Sequence, residues 1–168
     1  MRPEIDCGRF AAKRVIGDTL VVEADVFADG HDELSARLLY RHHCESDWHE
    51  SRMKRIENDR WRGQFKLERL GRYQYTVEGW IDRFETWRRD LIRRIGAGQD
   101  LDLEFRIGAE LIDDAAEAAD GENAAVLHAW ARERRQQTDR ESRETIAVAD
   151  EVAALVHRHA PHRFATRY

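Results

Sequence analysis

The chain has 168 residues, 28 Lys+Arg against 33 Asp+Glu, and a formal net charge of −5 at pH 7. Its 42% hydrophobic content suits one compact core or two small ones, while 36% charged residues predict a heavily ionic surface. Acids and bases are interspersed and no apolar run nears the roughly 20 residues of a membrane span, so neither nucleic acid nor membrane is expected as a partner.

The first half reads as strand. Thr19–Phe27 is rich in β-branched residues, and Ala28-Asp29-Gly30 closes it with turn chemistry. Ser35–His42 follows, with Ala36, Leu38 and Tyr40 on one side. Trp48–Ile56 and Arg60–Leu67 flank Glu57-Asn58-Asp59, the pattern of a hairpin turn. Gly71–Trp80 completes the series, with Tyr73, Tyr75 and Val77 alternating with polar residues.

The second half reads as helix. From Phe84 the period changes: Phe84, Trp87, Leu91 and Ile95 recur at helical spacing, and Gly96-Ala97-Gly98 stops the run. Asp100 is placed to cap a second helix carrying Phe105, Ile112, Ala115, Ala116 and Ala119, ended by Asp120-Gly121. A third carries Val126, Leu127, Trp130 and Ala131. Thr138-Asp139-Arg140-Glu141 matches a capping box ahead of a fourth stripe, Ile146 to Val156, ended near Pro161. Phe164 to Tyr168 return to a strand-like pattern.

These elements predict an α+β chain: an immunoglobulin-like antiparallel β-sandwich followed by or interrupted by an α-helical bundle insert. The domains expected are an incomplete sandwich at 1–81, a helical insert at 82–160 and the start of a returning strand at 161–168, with closing strands supplied by sequence beyond. Cys7 and Cys44 lack CxxC spacing and predict reduced thiols in a cytoplasmic protein, with a disulfide as the alternative.

No residue carries a catalytic signature. Asp113, Asp114 and Glu117 read as a solvated helix face rather than an acid–base pair. His42, His43, Cys44 and His49 suggest zinc ligands, but on a strand His42 and His43 point to opposite faces, so no metal is expected. His157, His159 and His162 read as cations favoured at a helix C-terminus. GxGxxG, the GKS/T loop and GxSxG are absent, and no cofactor is expected. The residues singled out are Trp80, Phe84, Trp87 and Trp130, as packing anchors or interface residues, with those at the strand-to-helix corner expected to fix the docking of the insert.

Gly8-Arg9-Phe10, Lys13-Arg14-Val15 and Val21 through Asp32 closely resemble the N-terminal region of one family. Leu38-Leu39-Tyr40-Arg41, Asn58-Asp59-Arg60-Trp61 and Gly71 through Asp90 continue the likeness over nearly the whole chain. The family is the α-1,4-glucan:maltose-1-phosphate maltosyltransferases, bacterial α-amylase-superfamily enzymes that extend α-glucans. Ala11 departs from the proline expected after Gly-Arg-Phe, which loosens a turn and touches no chemistry.

The resemblance implies a sandwich and helical insert associated with homodimer formation, preceding a catalytic barrel. The retaining two-carboxylate chemistry belongs to that barrel, and no residue here matches its motifs. The expected function is therefore a non-catalytic structural and dimerisation module. The alternative is an α-glucan-binding sandwich, since starch-acting enzymes often carry a Gly-x-Tyr-x-Tyr pattern like Gly71-Arg72-Tyr73-Gln74-Tyr75.

Overall fold

A computed structural model describes residues 1–136, 149–162 and 164–168. The alternating segments form β1 (Thr19–Asp25), β2 (Leu34–His42), β3 (His49–Arg52), β4 (Lys54–Glu57), β5 (Arg60–Lys66), β6 (Tyr73–Ile81) and β7 (Thr166–Arg167). The periodic segments form α1 (Arg83–Gly96), α2 (Asp102–Glu117), α3 (Gly121–Gln136) and α4 (Asp150–His159). The chain is thus mixed α+β, with two antiparallel sheets and, among the described residues, four helices. It divides into two compact units, Met1–Ile81 with Phe164–Tyr168, and Asp82–Arg163.

In the first unit the sheets run β1-β5-β4 and β3-β2-β6-β7. Their alternate residues meet in one core: Leu20, Val22 and Ala24 of β1, Trp61 and Phe65 of β5, Ala36 and Leu38 of β2, and Val77 of β6. The segment expected as one strand from Trp48 to Ile56 divides at Met53. β3 pairs with β2 and β4 pairs with β5, so the chain changes sheets there. The cause is local: Met53 is buried at 2% exposure, and its N–H donates to the Ala36 carbonyl at 3.0 Å. The switch is the corner that lets one segment edge both sheets. Asn58 makes the two-residue connection from Glu57 to Arg60 at φ 44°, a left-handed conformation that asparagine tolerates.

β1 stops two residues short of Phe27, which is 75% exposed. The strand-like tail contracts to Thr166–Arg167, paired with Gly79 and Glu78 of β6.

In the second unit Phe84, Trp87 and Leu91 of α1 meet Phe105, Ile112, Ala115 and Ala116 of α2, Leu127 and Ala131 of α3, and Val152, Ala153 and Val156 of α4. Asp82 caps α1, its Oδ1 accepting the Glu85 N–H at 3.0 Å. α2 begins one residue later than a cap at Asp100 would place it. Leu101 holds the cap position, while the Asp100 carboxylate still accepts the Asp102 N–H at 3.1 Å. The capping box at 138–141 and Ile146 lie outside the described residues.

Candidate functional site

Two of the singled-out aromatics lie inside the helical core. Phe84 and Trp87 are 3% and 5% exposed, with ring centroids 5.4 Å apart. The Trp87 indole N–H donates to the Glu104 carbonyl at 2.8 Å, so this large ring is buried with its polar atom satisfied. Trp130 is partly buried and packs against the same cluster. Trp80 belongs to the first unit; it is partly buried on β6, with the Arg37 guanidinium 5.9 Å from its ring centre.

Around the start of α1, sequence spacing gave no hint of a tightly built polar cluster. His157, in the last turn of α4, places Nδ1 3.2 Å from Asp82 Oδ2 and Nε2 2.6 Å from Glu85 Oε1. Only the imidazolium donates both contacts at once. The His157 hydrogen bond holds the Glu85 carboxyl below the usual carboxylate range against the opposing effect of its burial. At the other end of α4, Asp150 accepts from Arg88 at 2.6 Å, so α1 and α4 are tied antiparallel at two points. A helix C-terminal cation was expected at His157; the structure gives it two side-chain partners, Asp82 and Glu85. Asp113, read from sequence as solvated, bridges α2 to α3 through His128 Nδ1 at 3.1 Å and Arg135 at 2.5 Å.

In the first unit the corresponding feature is Glu78, which is 7% exposed. Arg37 donates to its Oε2 at 2.6–2.7 Å, and Arg167 to its Oε1 at 3.0–3.3 Å. Burial alone would raise this carboxyl, but hydrogen bonds and charge from the two arginines outweigh it and hold the group below the ordinary range. Arg37 also reaches Glu50 of β3 at 2.7 Å, so one ionic row crosses β3, β2, β6 and β7.

Tyr73 and Tyr75 line a groove of about 1020 Å³ together with Trp48, Arg41 and the N-terminal segment. Both are partly buried and tilt against Phe65, with centroids 5.9 and 6.1 Å away. Their hydroxyls are engaged: Tyr73 accepts the N–H groups of Glu68 and Arg69, and Tyr75 donates to the Pro3 carbonyl.

His42 and His43 do not point to opposite faces. β2 ends at His42 and the chain turns through His43 and Cys44, bringing the two rings to a centroid distance of 4.3 Å. The alternation rule holds only while the strand continues.

The model of the family described as Alpha-1,4-glucan:maltose-1-phosphate maltosyltransferase, domain N/S, matches residues 1–168. The chain belongs to this family. A relative of that name from Chlorobaculum tepidum is 49% identical over 126 residues, which is 75% of this chain and 19% of the relative. One from Myxococcus xanthus is 39% identical over 173 residues, 99% of this chain and 26% of the relative. One from Salinibacter ruber is 38% identical over 163 residues, 95% of this chain and 24% of the relative. The chain thus matches about a fifth to about a quarter of the length of these maltosyltransferases.

In this N/S domain the polar clusters that matter most, Glu78 with Arg37 and Arg167, and His157 with Asp82 and Glu85, join residues 41 to 89 positions apart in sequence. A helical stripe or strand alternation reports which face a residue occupies, not which distant residue it meets. The one available signal was an acid, Glu78, flanked by Val77 and Gly79 late in a strand. No helix among the described residues is long and apolar enough to cross a membrane.

Proposed function

We propose that this chain is the non-catalytic N-terminal structural and dimerisation module of a maltosyltransferase whose full chain transfers maltosyl units from maltose 1-phosphate to α-1,4-glucans. The observation that carries the reading is the family match over residues 1–168 together with the small share of each relative that those residues cover. On this reading the first unit is an immunoglobulin-like sandwich, the helices are an insert between β6 and β7, and a catalytic barrel follows in the parent chain. The state of two partnered acids fits it. A general acid or base works best with a pKa near the operating pH, whereas Glu78 and Glu85 are both held low by cationic partners. Trp130 and the α3 face around it are the candidate contact with a second copy.

Sedimentation of the 168-residue chain across micromolar concentrations tests dimerisation; a dimer is expected, and a strict monomer overturns that part. Turnover of maltose 1-phosphate by this chain is expected to be undetectable, and measurable turnover overturns the non-catalytic assignment.

The groove beside Tyr73, Tyr75 and Trp48 favours a second reading, an α-glucan-binding module. The engaged hydroxyls and the packing on Phe65 weigh against sugar stacking at the two tyrosines. Titration with maltoheptaose separates the readings: heat or shift changes at millimolar ligand support binding, and silence removes it.

A further inference from the structure

The turn that follows β2 brings three metal-ligating side chains together. One ligand atom each from His42, His43 and Cys44 lies within 4.8 Å of the others. Cys44 Sγ is 3.3 Å from His43 Nε2. Two such ligands on one tetrahedral zinc ion, with bonds of about 2.3 and 2.0 Å, sit about 3.5 Å apart, so this pair is already near bidentate spacing.

His42 is oriented for the third position. Its Nε2 is 3.1 Å from the Leu70 carbonyl oxygen, which only accepts, so Nε2 carries the proton and Nδ1 presents its lone pair. That lone pair faces the turn, where the Cys44 N–H lies at the long distance of 3.4 Å. A buried imidazole with its N–H fixed by a backbone carbonyl and its other nitrogen left as an acceptor is the arrangement that metal-binding histidines adopt, and here only the long Cys44 N–H contact occupies that nitrogen. Gly71 keeps the place clear: at φ +136°, a Cβ there would lie 2.4 Å from His42 Nε2 and 2.9 Å from His43 Cε1. Both rings therefore rest against bare backbone.

We propose that His42 Nδ1, His43 Nε2 and Cys44 Sγ bind one soft transition-metal ion of the zinc class, with a fourth position open to solvent. Two imidazoles and a thiolate select such an ion over magnesium or calcium. Coordination displaces the Cys44 thiol proton to solvent and replaces the weak Cys44 N–H contact, while the Leu70 hydrogen bond stays in place. His43 and Cys44 are exposed, so the ion enters directly from water. Its consequence is to lock the turn after β2, since all three ligands lie within it.

Titration of the reduced 168-residue chain with Co2+ tests this. One equivalent is expected to give a thiolate-to-cobalt charge-transfer band that one equivalent of Zn2+ removes. Cys44→Ser abolishes the band, while Cys7→Ser keeps it. His43→Gln lowers Zn2+ affinity at least as much as the roughly 10–100-fold that outer partners alone carry. Both Cys44 and His43 are exposed, so these variants fold, and far-ultraviolet circular dichroism checks that they do. Absence of the band in the wild type, its survival in Cys44→Ser, or its loss in Cys7→Ser overturns the proposal.

Discussion

Replacing Gly108 with alanine sets a methyl group 2.1 Å from Trp87 Cζ2 and 2.5 Å from Cη2. Two effects of opposite sign compete. In a helix interior alanine is favoured over glycine by about 1 kcal/mol. Carbon atoms in contact, however, sit about 3.5–4.0 Å apart, so methyl and indole must separate by roughly 1.5 Å. The ring has no easy way out, because its N–H is bound to the Glu104 carbonyl at 2.8 Å and Phe84 packs beside it. Overpacking of this kind costs about 1–3 kcal/mol, and losing the indole hydrogen bond about 1 kcal/mol more. Subtracting the helix propensity leaves a net loss of about 1–3 kcal/mol. For a unit of this size each kcal/mol lowers the thermal midpoint by about 4–8 °C. Gly96→Ala is the control, since a Cβ at Gly96 meets nothing within 4 Å. It is expected to stabilise by a few tenths up to about 1 kcal/mol. Thermal and urea unfolding followed by far-ultraviolet circular dichroism reads both. A Gly108→Ala chain as stable as Gly96→Ala would refute the reasoning.

Glu78→Gln keeps the side-chain size but leaves Arg37 and Arg167 facing a neutral amide. The loss is expected to be about 1–3 kcal/mol, towards the lower end because Arg167 is 49% exposed, and urea unfolding with an Arg37→Met double-mutant cycle measures it. Met53→Ala empties the point where the chain changes sheets and is expected to cost about 2–5 kcal/mol; a change below 1 kcal/mol in the urea-derived stability would argue that the corner is not set by this side chain. The acid limb of the stability curve carries a third. Glu85 faces His157 and Arg88, which lower its pKa, and Asp82, which raises it; the net shift is downward. The unfolded chain therefore binds more protons. Glu85's contribution is full above the ordinary carboxylate value of about 4.3 and fades as pH falls through the lower folded value. His157→Gln removes the largest cause, so urea midpoints measured across that window should fall less steeply with acid, and an identical acid limb would contradict this.

Much of the architecture was legible because it rests on periodicity. The alternation of Leu20, Val22 and Ala24, and the spacing of Phe84, Trp87 and Leu91, lead straight to the buried faces of β1 and α1. Change of sheet at Met53 was hidden, since an alternating run of edge residues reads the same whether one sheet or two receives it. The reading of His42 and His43 failed for a related reason. Strand alternation was carried one residue past the point where the strand gives way to a turn, and the turn reverses the conclusion about which way the rings face. Gly108 was invisible as a packing device because only the indole of Trp87, 21 positions earlier in number, gives its missing side chain a meaning.

The abundance of charge in this chain is best understood as a means of specifying pairing. Arg37 and Glu78 are direct register partners across β2 and β6, and Glu78 faces Arg167 across β6 and β7. A slip of one residue would turn Glu78 into the core beside Leu38 and put Val77 in its place on the ionic row. The cost of burying an unpaired carboxylate makes such a register far less stable than the native one. Hydrophobic alternation alone penalises the slip too, but the ion row adds a directional requirement: each oxygen of the Glu78 carboxylate must meet its own guanidinium, Oε2 that of Arg37 and Oε1 that of Arg167. Arginine meets that demand with its planar fork where lysine offers a point charge, which gives the excess of arginine over lysine a structural use. The same logic operates on α1, where Asp82 both caps the helix and receives His157, so one residue fixes where the helix starts and which turn of α4 lies beside it. Carboxylates used in this way are held ionised by their partners, unlike a general acid or base, whose pKa works best near the operating pH.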